Sequence, residues 1–330
     1  MKPAICFLAF IITSAVCAKD LATDPLVDAS TDGISALIRA KLLKAPVPKA
    51  TLAGDLEDQS FWDDNEALIQ DALEEYGKLH DQIYDFNTSF QDKYMDPNLT
   101  NALRNQDLAM LSSIMNETDA PGVYATQIFN SKFSQDFLEE IRHYESSGIP
   151  LRRPNSMNRY GVILSMIGFD RLINNIVTEV LTPLARLQFG DIAAPADLKE
   201  AYAFTVRYKP GMDRNLTEHT DHSTITVNIC LETTSTEKVL YFKNQKYFLN
   251  DTDSEVDVPN FVSMSTPGVA LIHLGQHTHG VREVHGERTQ LVIWMSGEYG
   301  YVRIAPYDKS EIVPHNWSAR NKAFLSDNEL

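Results

Sequence analysis

The hydrophobic pattern of the chain changes its period near Ala201, and this change limits the folds that are open to it. From there onward, apolar and polar residues alternate in short runs: AYAFTVRYK, TITVNICLE, KVLYF, KYFL, VALIHLG, RTQLVIWM and YVRIAP. A period of two is typical of strands, and turn-forming Gly, Pro, Asn and Asp residues separate the runs. The second half of the chain is therefore predicted to form an antiparallel β architecture, either a double-sheet jelly roll or a barrel.

The residues before Ala201 show the period of helices instead. Helices are predicted over 63–86, over 99–114, from Ser134 as N-cap to Gly148, and over 169–189 with a kink at Pro183. A shorter helix near 34–44 precedes them. Helices first and strands afterwards predict an α+β fold.

The N-terminus, MKPAICFLAFIITSAVCAKD, has the layout of a secretory signal peptide with cleavage after Ala18. Its apolar run is shorter than the ~20 residues of a membrane span, so an uncleaved anchor is the alternative and no span is expected in the mature chain. Cleavage would leave Cys230 as the one cysteine, without a disulfide partner. We expect a protein of the secretory pathway, either in the ER lumen or secreted; the last four residues, DNEL, faintly resemble a lumenal retention signal.

Sequons for N-glycosylation agree with a lumenal location. The six candidate acceptors are Asn87, Asn98, Asn116, Asn215, Asn250 and Asn316. The formal charge of −16 over 330 residues argues against nucleic acid as a partner, because phosphate binding needs a basic face. It also disfavours docking on an anionic membrane.

The stretch EHTDHSTITVNICLE (218–232) has the pattern of a metal site. Residues i and i+2 of an extended backbone project to one face, so His219 and Asp221 can present an imidazole and a carboxylate to one point. The later block PGVALIHLGQHTHGVREVHGERTQLVIWM (267–295) adds His273, His277, His279 and His285. Two histidines and a carboxylate leave open positions on a six-coordinate metal, which is typical of non-haem Fe(II). A zinc site would more often have a closed shell.

Arg288 stands at the start of an apolar strand just after these histidines. A guanidinium within such a strand is unfavourable unless it meets an anion, and it binds a carboxylate in bidentate fashion. A metal and this arginine together predict a site for a dicarboxylate that chelates the metal at one end. Taken singly, each residue also has an ordinary interpretation as a core histidine or an exposed arginine.

Two blocks of the chain resemble a known family. FTVRYKPGMDRNLTEHTDHSTITVNICLE and the block that ends at Met295 are similar to the iron(II)- and 2-oxoglutarate-dependent dioxygenases of the prolyl/lysyl hydroxylase type, and in particular to the PKHD-type hydroxylases. The segment FLEEIRHYESSGIPLRRPNSMNRYGVIL (137–164) is similar to that subgroup as well, so the similarity covers 121–305. The sequence gives no role to RPNSMNRYG.

The resemblance implies a double-stranded β-helix (jelly-roll) catalytic core with supporting helices. By motif position, His219, Asp221 and His279 correspond to the iron ligands, and Arg288 to the group that binds the distal carboxylate of 2-oxoglutarate. The residues that would line the 2-oxoglutarate pocket are Tyr208, Thr226, Asn228 and Cys230. The spacing from His279 to Arg288 is one residue shorter than usual, which leaves His277 as an alternative ligand.

The resemblance also implies the activity. Fe(II), 2-oxoglutarate and O₂, with ascorbate, would hydroxylate a protein or peptide side chain, Pro or Lys, and release succinate and CO₂. A small-molecule substrate stays open, and no catalytic residue is expected beyond the metal site. TTSTEKVLYF (233–242) replaces a Gly-Gly pair that is usual in the family, so a catalytically silent binding or scaffold protein is one alternative. A cupin-like metal-dependent hydrolase or isomerase, without a role for Arg288, is the other.

The predicted organisation follows from these patterns. It comprises a signal peptide over 1–18, a helical extension over 19–120, a dioxygenase domain over 121–305 with its iron-site core at 200–298, and a tail over 306–330.

Overall fold

The computed structural model of the chain describes residues 59–147, 149, 153–190, 198, 200–243 and 258–296. They form two compact units. One contains Gln59 to Asp81 and the helical residues from Asp136, and the other contains Gln82 to Gln135 and the described residues from Arg153 onward. The predicted signal peptide, the tail, the helix near 34–44 and the strands KYFL and YVRIAP lie outside the described residues. The predicted domain boundary at 120 falls inside the second unit and stays a prediction.

The first unit contains helix α1, Gln59–Glu75. The prediction that this helix reaches residue 86 is wrong, because a buried carboxylate binds the chain just after Glu75. Glu140 accepts hydrogen bonds from the Tyr76 hydroxyl at 2.8 Å and from the backbone N–H groups of Leu79 and His80 at 2.9 and 2.7 Å. These bonds take the place of the helical hydrogen bonds, so residues 76–80 leave the helix.

The second unit begins with three short helices: α2 (Thr88–Tyr94), α3 (Pro97–Arg104) and α4 (Leu108–Ile114). The prediction of one helix over 99–114 is therefore wrong. Gln106 has a φ of 53°, in the left-handed region, and interrupts the helix. The Asp107 carboxylate then accepts from the Met110 N–H at 2.9 Å and starts α4 as its N-cap.

Helix α5 spans Ser131–Ser146, three residues ahead of its predicted start. The Asn130 side chain accepts from the Phe133 N–H at 3.1 Å, so Asn130 is the N-cap and the assignment of Ser134 to that role is wrong. The predicted end at Gly148 lies outside the described residues.

The helix predicted over 169–189 divides at its centre. Helix α6 (Asp170–Ile176) continues through a π-helical turn, Val177–Leu181, into α7 (Thr182–Gln188). Pro183 lacks an N–H group, and the Thr182 N–H just before it donates to Val177 five residues back. The sequence predicted a kink at Pro183, and the structure shows a π-helical turn that ends two residues before this proline. In the part of the chain that the structure describes, no helix is long and apolar enough to cross a membrane.

Ten described strands form two antiparallel sheets. The larger has the order β1-β2-β8-β5-β10-β3 and the smaller β4-β9-β6-β7. Their bounds are β1 Asn116–Glu117, β2 Tyr124–Gln127, β3 Glu200–Tyr208, β4 Leu216–His219, β5 Ile225–Thr233, β6 Leu240–Lys243, β7 Pro259–Val262, β8 Val269–Leu274, β9 His279–Val281 and β10 Arg288–Ser296. The alternation predicted β3, β5, β6, β8 and β10, whereas β4, β7 and β9, of three or four residues each, are too short to show it.

One apolar core lies between the two sheets. Phe204, Val206 and Val292 of the larger sheet belong to the same buried cluster as Leu240 and Phe242 of the smaller one. Inward-facing residues of both sheets therefore share an interior, which is the arrangement of a jelly roll. The predicted α+β fold with a double-stranded β-helix core and supporting helices is confirmed.

The outer edge of β3 pairs with the chain that precedes it. The Thr205 and Arg207 N–H groups donate to the carbonyls of Val162 and Tyr160 at 2.9 and 3.0 Å. Gly161 lies between these two partners with a φ of 149°, and a Cβ atom there would collide with the Thr205 carbonyl. The close approach of two backbones accounts for a glycine at this position.

Gly161→Ala is expected to destabilise the protein by about 2 kcal/mol, because the added methyl group forces the segment away from β3. Thermal unfolding of the full chain measures the effect. Gly190→Ala is the matched control, since a Cβ atom at Gly190 meets nothing within 4 Å. Equal melting temperatures for the two variants would contradict this account of the edge.

Candidate active site

Three of the residues that the sequence predicts to bind a metal meet between the two sheets. His219 ends β4, His279 begins β9, and the two are direct partners in the antiparallel pairing of these strands. One ligand atom of each, with one of Asp221, lies within 4.8 Å of the others. The Nε2 atoms of His219 and His279 are 3.5 and 3.6 Å from the two oxygens of Asp221. The cluster is thus two imidazoles on either side of one carboxylate.

Backbone carbonyls hold both imidazoles in this orientation. His219 Nδ1 lies 2.8 Å from the Thr217 carbonyl, and His279 Nδ1 lies 2.8 Å from the His277 carbonyl. A carbonyl oxygen accepts but does not donate, so we assign the hydrogen to Nδ1 in each ring. The lone pair is then on Nε2, the atom that faces Asp221, which is the tautomer that a metal ligand needs.

Asp221 is held by hydrogen bonds to the turn that follows β8 and to strand β5. Its N–H donates to the Gly275 carbonyl at 2.7 Å, and its Oδ2 accepts from the Thr226 hydroxyl at 2.7 Å. Burial alone would raise the pKa of Asp221, but the neighbouring His279 and His219 outweigh burial and hold the pKa well below its usual range. The buried carboxylate is therefore ionised.

The electrostatics of the cluster suit a divalent cation. Burial lowers the pKa of His279, although the charge of Asp221 acts in the opposite direction. Burial would also lower the pKa of His219, but hydrogen bonding and charge from Asp221 raise it on balance. Two imidazole nitrogens and one carboxylate oxygen are the donor set of non-haem Fe(II) centres, and they leave ligand positions free for other molecules.

Arg288 is buried within the larger sheet, and no carboxylate of the described residues pairs with it. It is the first residue of β10, opposite Tyr208 on one side and Thr233 on the other, and it is 2% exposed. Its Nη2 donates to the Met264 carbonyl at 3.1 Å, while Nη1 has no hydrogen-bond partner among the described residues. A buried guanidinium with a free donor is unfavourable, so this position favours binding of an anion.

Tyr208, the register partner of Arg288, supplies a second polar group. It is 1% exposed, and its hydroxyl accepts from Asn158 Nδ2 at 3.3 Å. Burial raises the pKa of Tyr208 to about 12, so the phenol is neutral and keeps its proton. Asn228, on β5 of the same sheet, has a buried Oδ1 without a hydrogen-bond partner in the described structure.

The chain is similar to known proteins whose names refer to iron and 2-oxoglutarate. A family model described as an OGFOD2-like domain matches residues 72–194. The protein named 2-oxoglutarate and iron-dependent oxygenase domain-containing protein 2 of Danio rerio is 33% identical over 239 residues, which are 70% of this chain and 66% of that protein. Over the matched residues, the chain is similar to iron- and 2-oxoglutarate-dependent oxygenases. It spans less than two thirds of the Danio rerio relative's length.

Two further matches are more distant. Procollagen-lysine,2-oxoglutarate 5-dioxygenase 1 of Rattus norvegicus is 27% identical over 211 residues, which are 61% of this chain and 26% of that protein. A solved prolyl-4-hydroxylase of Pseudomonas putida is 15% identical with a TM-score of 0.40, covering 61% of this chain and all of that one.

Four other described histidines of the two sequence blocks, His222, His273, His277 and His285, lie outside the cluster of His219, Asp221 and His279. His277 Nε2 is 2.8 Å from the Lys243 carbonyl, and burial lowers the pKa of His277 to about 4. His273 is fully buried, and burial lowers its pKa to about 3. His285 Nδ1 lies 3.5 Å from Arg214, and the His222 ring lies 6.5 Å from that of Trp294. The structure thus brings His279, and not the alternative His277, beside Asp221.

A second group of metal-ligating side chains lies in the first unit. One ligand atom each from His80, Asp136 and Glu139 lies within 4.8 Å of the others. His80 Nε2 is 2.9 Å from Glu139, so these two side chains already bind each other.

Two contributions to the site were missed by sequence reasoning. Thr226, which was predicted to line the 2-oxoglutarate pocket, donates a hydrogen bond from its hydroxyl to the carboxylate of Asp221, a predicted metal ligand. Asn158 reaches Tyr208 from the segment RPNSMNRYG, to which the sequence assigned no role. The resemblance to the hydroxylase subgroup includes that segment. A contact between two residues that are 50 positions apart cannot be predicted from one sequence.

The structure describes four of the six predicted glycosylation sites. Four candidate acceptors, Asn87, Asn98, Asn116 and Asn215, are exposed. Asn250 and Asn316 lie outside the described residues. Exposure permits glycosylation, which stays a prediction at all six positions.

The structure predicts which residues bind metal. Separate His219→Ala, Asp221→Ala and His279→Ala variants are expected to lose Mn(II) binding, since each removes one of three donors. His277→Ala is the matched control, and calorimetric titration of the full chain is the measurement. If His277→Ala lost the metal and His279→Ala kept it, the ligand set would be wrong.

Thr226→Val is expected to weaken Mn(II) binding by about tenfold, because the carboxylate of Asp221 loses the hydroxyl that orients it. Thr226→Ser retains a hydroxyl and should bind as the unaltered protein does. The same titration tests both variants. Equal affinities for Thr226→Val and Thr226→Ser would show that the hydrogen bond to Asp221 does not support the metal.

Proposed function

We propose that the protein is a hydroxylase that uses Fe(II), 2-oxoglutarate and O₂ to hydroxylate a protein or peptide side chain, releasing succinate and CO₂. One observation carries the proposal: the fold holds both a cluster of two histidines and a carboxylate, in which Asp221 and His279 are buried, and a buried arginine that has a free donor. A metal centre alone would suit many reactions. The arginine adds the need for an anion, and a dicarboxylate that chelates a metal satisfies both.

The residues of the chain supply position and a water-poor environment. His219 Nε2, His279 Nε2 and the Asp221 carboxylate would hold the metal. Arg288 Nη1 and the Tyr208 hydroxyl would bind the distal carboxylate and so direct the other end of 2-oxoglutarate towards the metal. Bound Fe(II) would supply the centre at which O₂ and 2-oxoglutarate react. The burial of Arg288 and Asp221, at 2% and 4% exposure, excludes bulk water from both ends of the pocket.

The substrate is proposed as a Lys or Pro side chain of a protein. The name of the Rattus norvegicus relative, a procollagen-lysine dioxygenase, supports a lysine in a polypeptide. The signal-peptide layout and the sequons support a substrate within the secretory pathway, with ascorbate to keep the iron reduced.

Buried Arg288 also distinguishes this proposal from a cupin-like hydrolase or isomerase, in which the arginine would have no role. Arg288→Gln is expected to raise the KM for 2-oxoglutarate by about 30-fold or more, because it removes the charge that pairs with the distal carboxylate. Arg282→Gln is the matched control, since Arg282 lies 4.1 Å from the Phe261 ring and away from the metal cluster. Succinate release by the full chain with Fe(II) and ascorbate is the measurement.

The succinate-release assay distinguishes the proposed function from its alternatives. Succinate release that falls in Arg288→Gln and is lost in His219→Ala supports the proposed function. Release that is equal in Arg288→Gln and Arg282→Gln would contradict the role of Arg288. Normal binding of iron and 2-oxoglutarate without succinate release, in the presence of lysine- and proline-containing peptides, would favour the silent scaffold instead.

A further inference from the structure

The segment RPNSMNRYG (153–161) crosses the end of β3 and is attached there at several points. The Arg153 guanidinium donates to the carbonyls of Asn155 and Ser156 at 2.8 and 2.6 Å, which curls the segment back on itself. The Arg159 N–H donates to the Asp213 carboxylate at 2.7 Å, in the loop that follows β3. The segment is therefore fixed to the backbone next to Tyr208, the last residue of β3.

Two asparagines within this segment form a hydrogen-bonded chain that ends at Tyr208. Asn155 Oδ1 accepts from the N–H groups of Met157 and Asn158 at 2.8 and 2.7 Å. Asn155 Nδ2 donates to Asn158 Oδ1 at 3.1 Å, and Asn158 Nδ2 donates to the Tyr208 hydroxyl at 3.3 Å. Asn155, Asn158 and Tyr208 are 6%, 3% and 1% exposed, so bulk water does not compete with these bonds.

The direction of every bond in this chain is fixed. A backbone N–H only donates, so the atom of Asn155 that receives two of them is its oxygen. The amide nitrogen of Asn155 then faces Asn158, which must present its own oxygen there and its nitrogen to Tyr208. The usual ambiguity of asparagine amides is thereby removed.

The hydrogen bond from Asn158 to Tyr208 determines whether Tyr208 can act as a donor or as an acceptor towards a ligand. Its oxygen receives the Asn158 amide, so its own proton is directed elsewhere, and no described residue accepts it. Arg288 lies opposite Tyr208 in the sheet, with Nη1 also without an acceptor. Two donors on neighbouring strands match the two oxygens of one carboxylate.

We propose that Asn158 is a positioning residue, held by Asn155, that fixes the Tyr208 hydroxyl as a donor to the distal carboxylate of 2-oxoglutarate. This inference rests on the proposed function, because it names the ligand of that same site. Asn158 acts through Tyr208 and is not assigned a contact with the ligand.

Asn158→Asp tests the direction of the hydrogen bond between residue 158 and Tyr208. An aspartate has the shape of asparagine, but its carboxylate cannot donate a hydrogen bond. It would instead accept a hydrogen bond from the Tyr208 hydroxyl, so that the lone pairs of the Tyr208 oxygen, and not its hydrogen, face the ligand. Anaerobic titration of 2-oxoglutarate into the Mn(II)-loaded full chain should show binding about tenfold weaker. In a Tyr208→Phe background the same substitution should change binding by less than about threefold, because no hydroxyl is left to redirect.

The double-mutant comparison separates this inference from simple charge repulsion. A carboxylate at position 158 that acted only by its charge would weaken binding equally in both backgrounds, and that result would overturn the inference. Unchanged binding by Asn158→Asp would overturn it as well. Mn(II) affinity should stay unchanged, because the metal ligands are untouched.

Asn158→Ala provides a second variant if Asn158→Asp does not fold. It frees the hydroxyl without adding charge, and we expect about threefold weaker binding in the unaltered background and none of that loss with Tyr208→Phe. A loss of the same size in both backgrounds would contradict the inference. An unaltered protein that binds Mn(II) but no 2-oxoglutarate would instead overturn the proposed function itself.

Discussion

The antiparallel pairing of β4 with β9 is the constraint on which the metal site depends. It places His219 directly opposite His279, and a shift of one residue would turn one imidazole to the other face of the sheet. Asp221 lies just beyond β4, where its N–H is bound by Gly275 and its carboxylate by Thr226. The register of this pairing shifts by one residue between Leu216 and His219, and after that shift His219 and His279 are direct partners.

The opposite end of the pocket is organised by donors rather than by a metal. Arg288 and Tyr208 are paired on β10 and β3, buried almost completely, and each has a hydrogen that no described residue accepts. Leaving such groups unpaired in a protein interior is unfavourable, so the fold is stabilised when an anion binds. A metal at one end and hydrogen-bond donors at the other match a co-substrate that chelates a metal at one end and carries a carboxylate at the other.

The sequence predicted the parts of this arrangement that have strong local patterns. The long strands β3, β5 and β10 alternate clearly, and the spacing of His219 and Asp221 follows from an extended backbone alone. The short strands β4 and β9 were missed, so spacing could not choose between His277 and His279, and the family resemblance was needed. Helix ends were wrong where a distant side chain intervenes, as Glu140 does after Glu75. Asn158 was missed because its contact is purely tertiary.

A crystal structure of the full chain with Mn(II) and 2-oxoglutarate, grown without oxygen, tests the central claim most directly. The account predicts Mn(II) bonded to His219 Nε2, His279 Nε2 and the Asp221 carboxylate, with the distal carboxylate of 2-oxoglutarate at Arg288 Nη1. A metal bound instead by His80, Asp136 and Glu139 would contradict it. So would a distal carboxylate that binds away from Arg288.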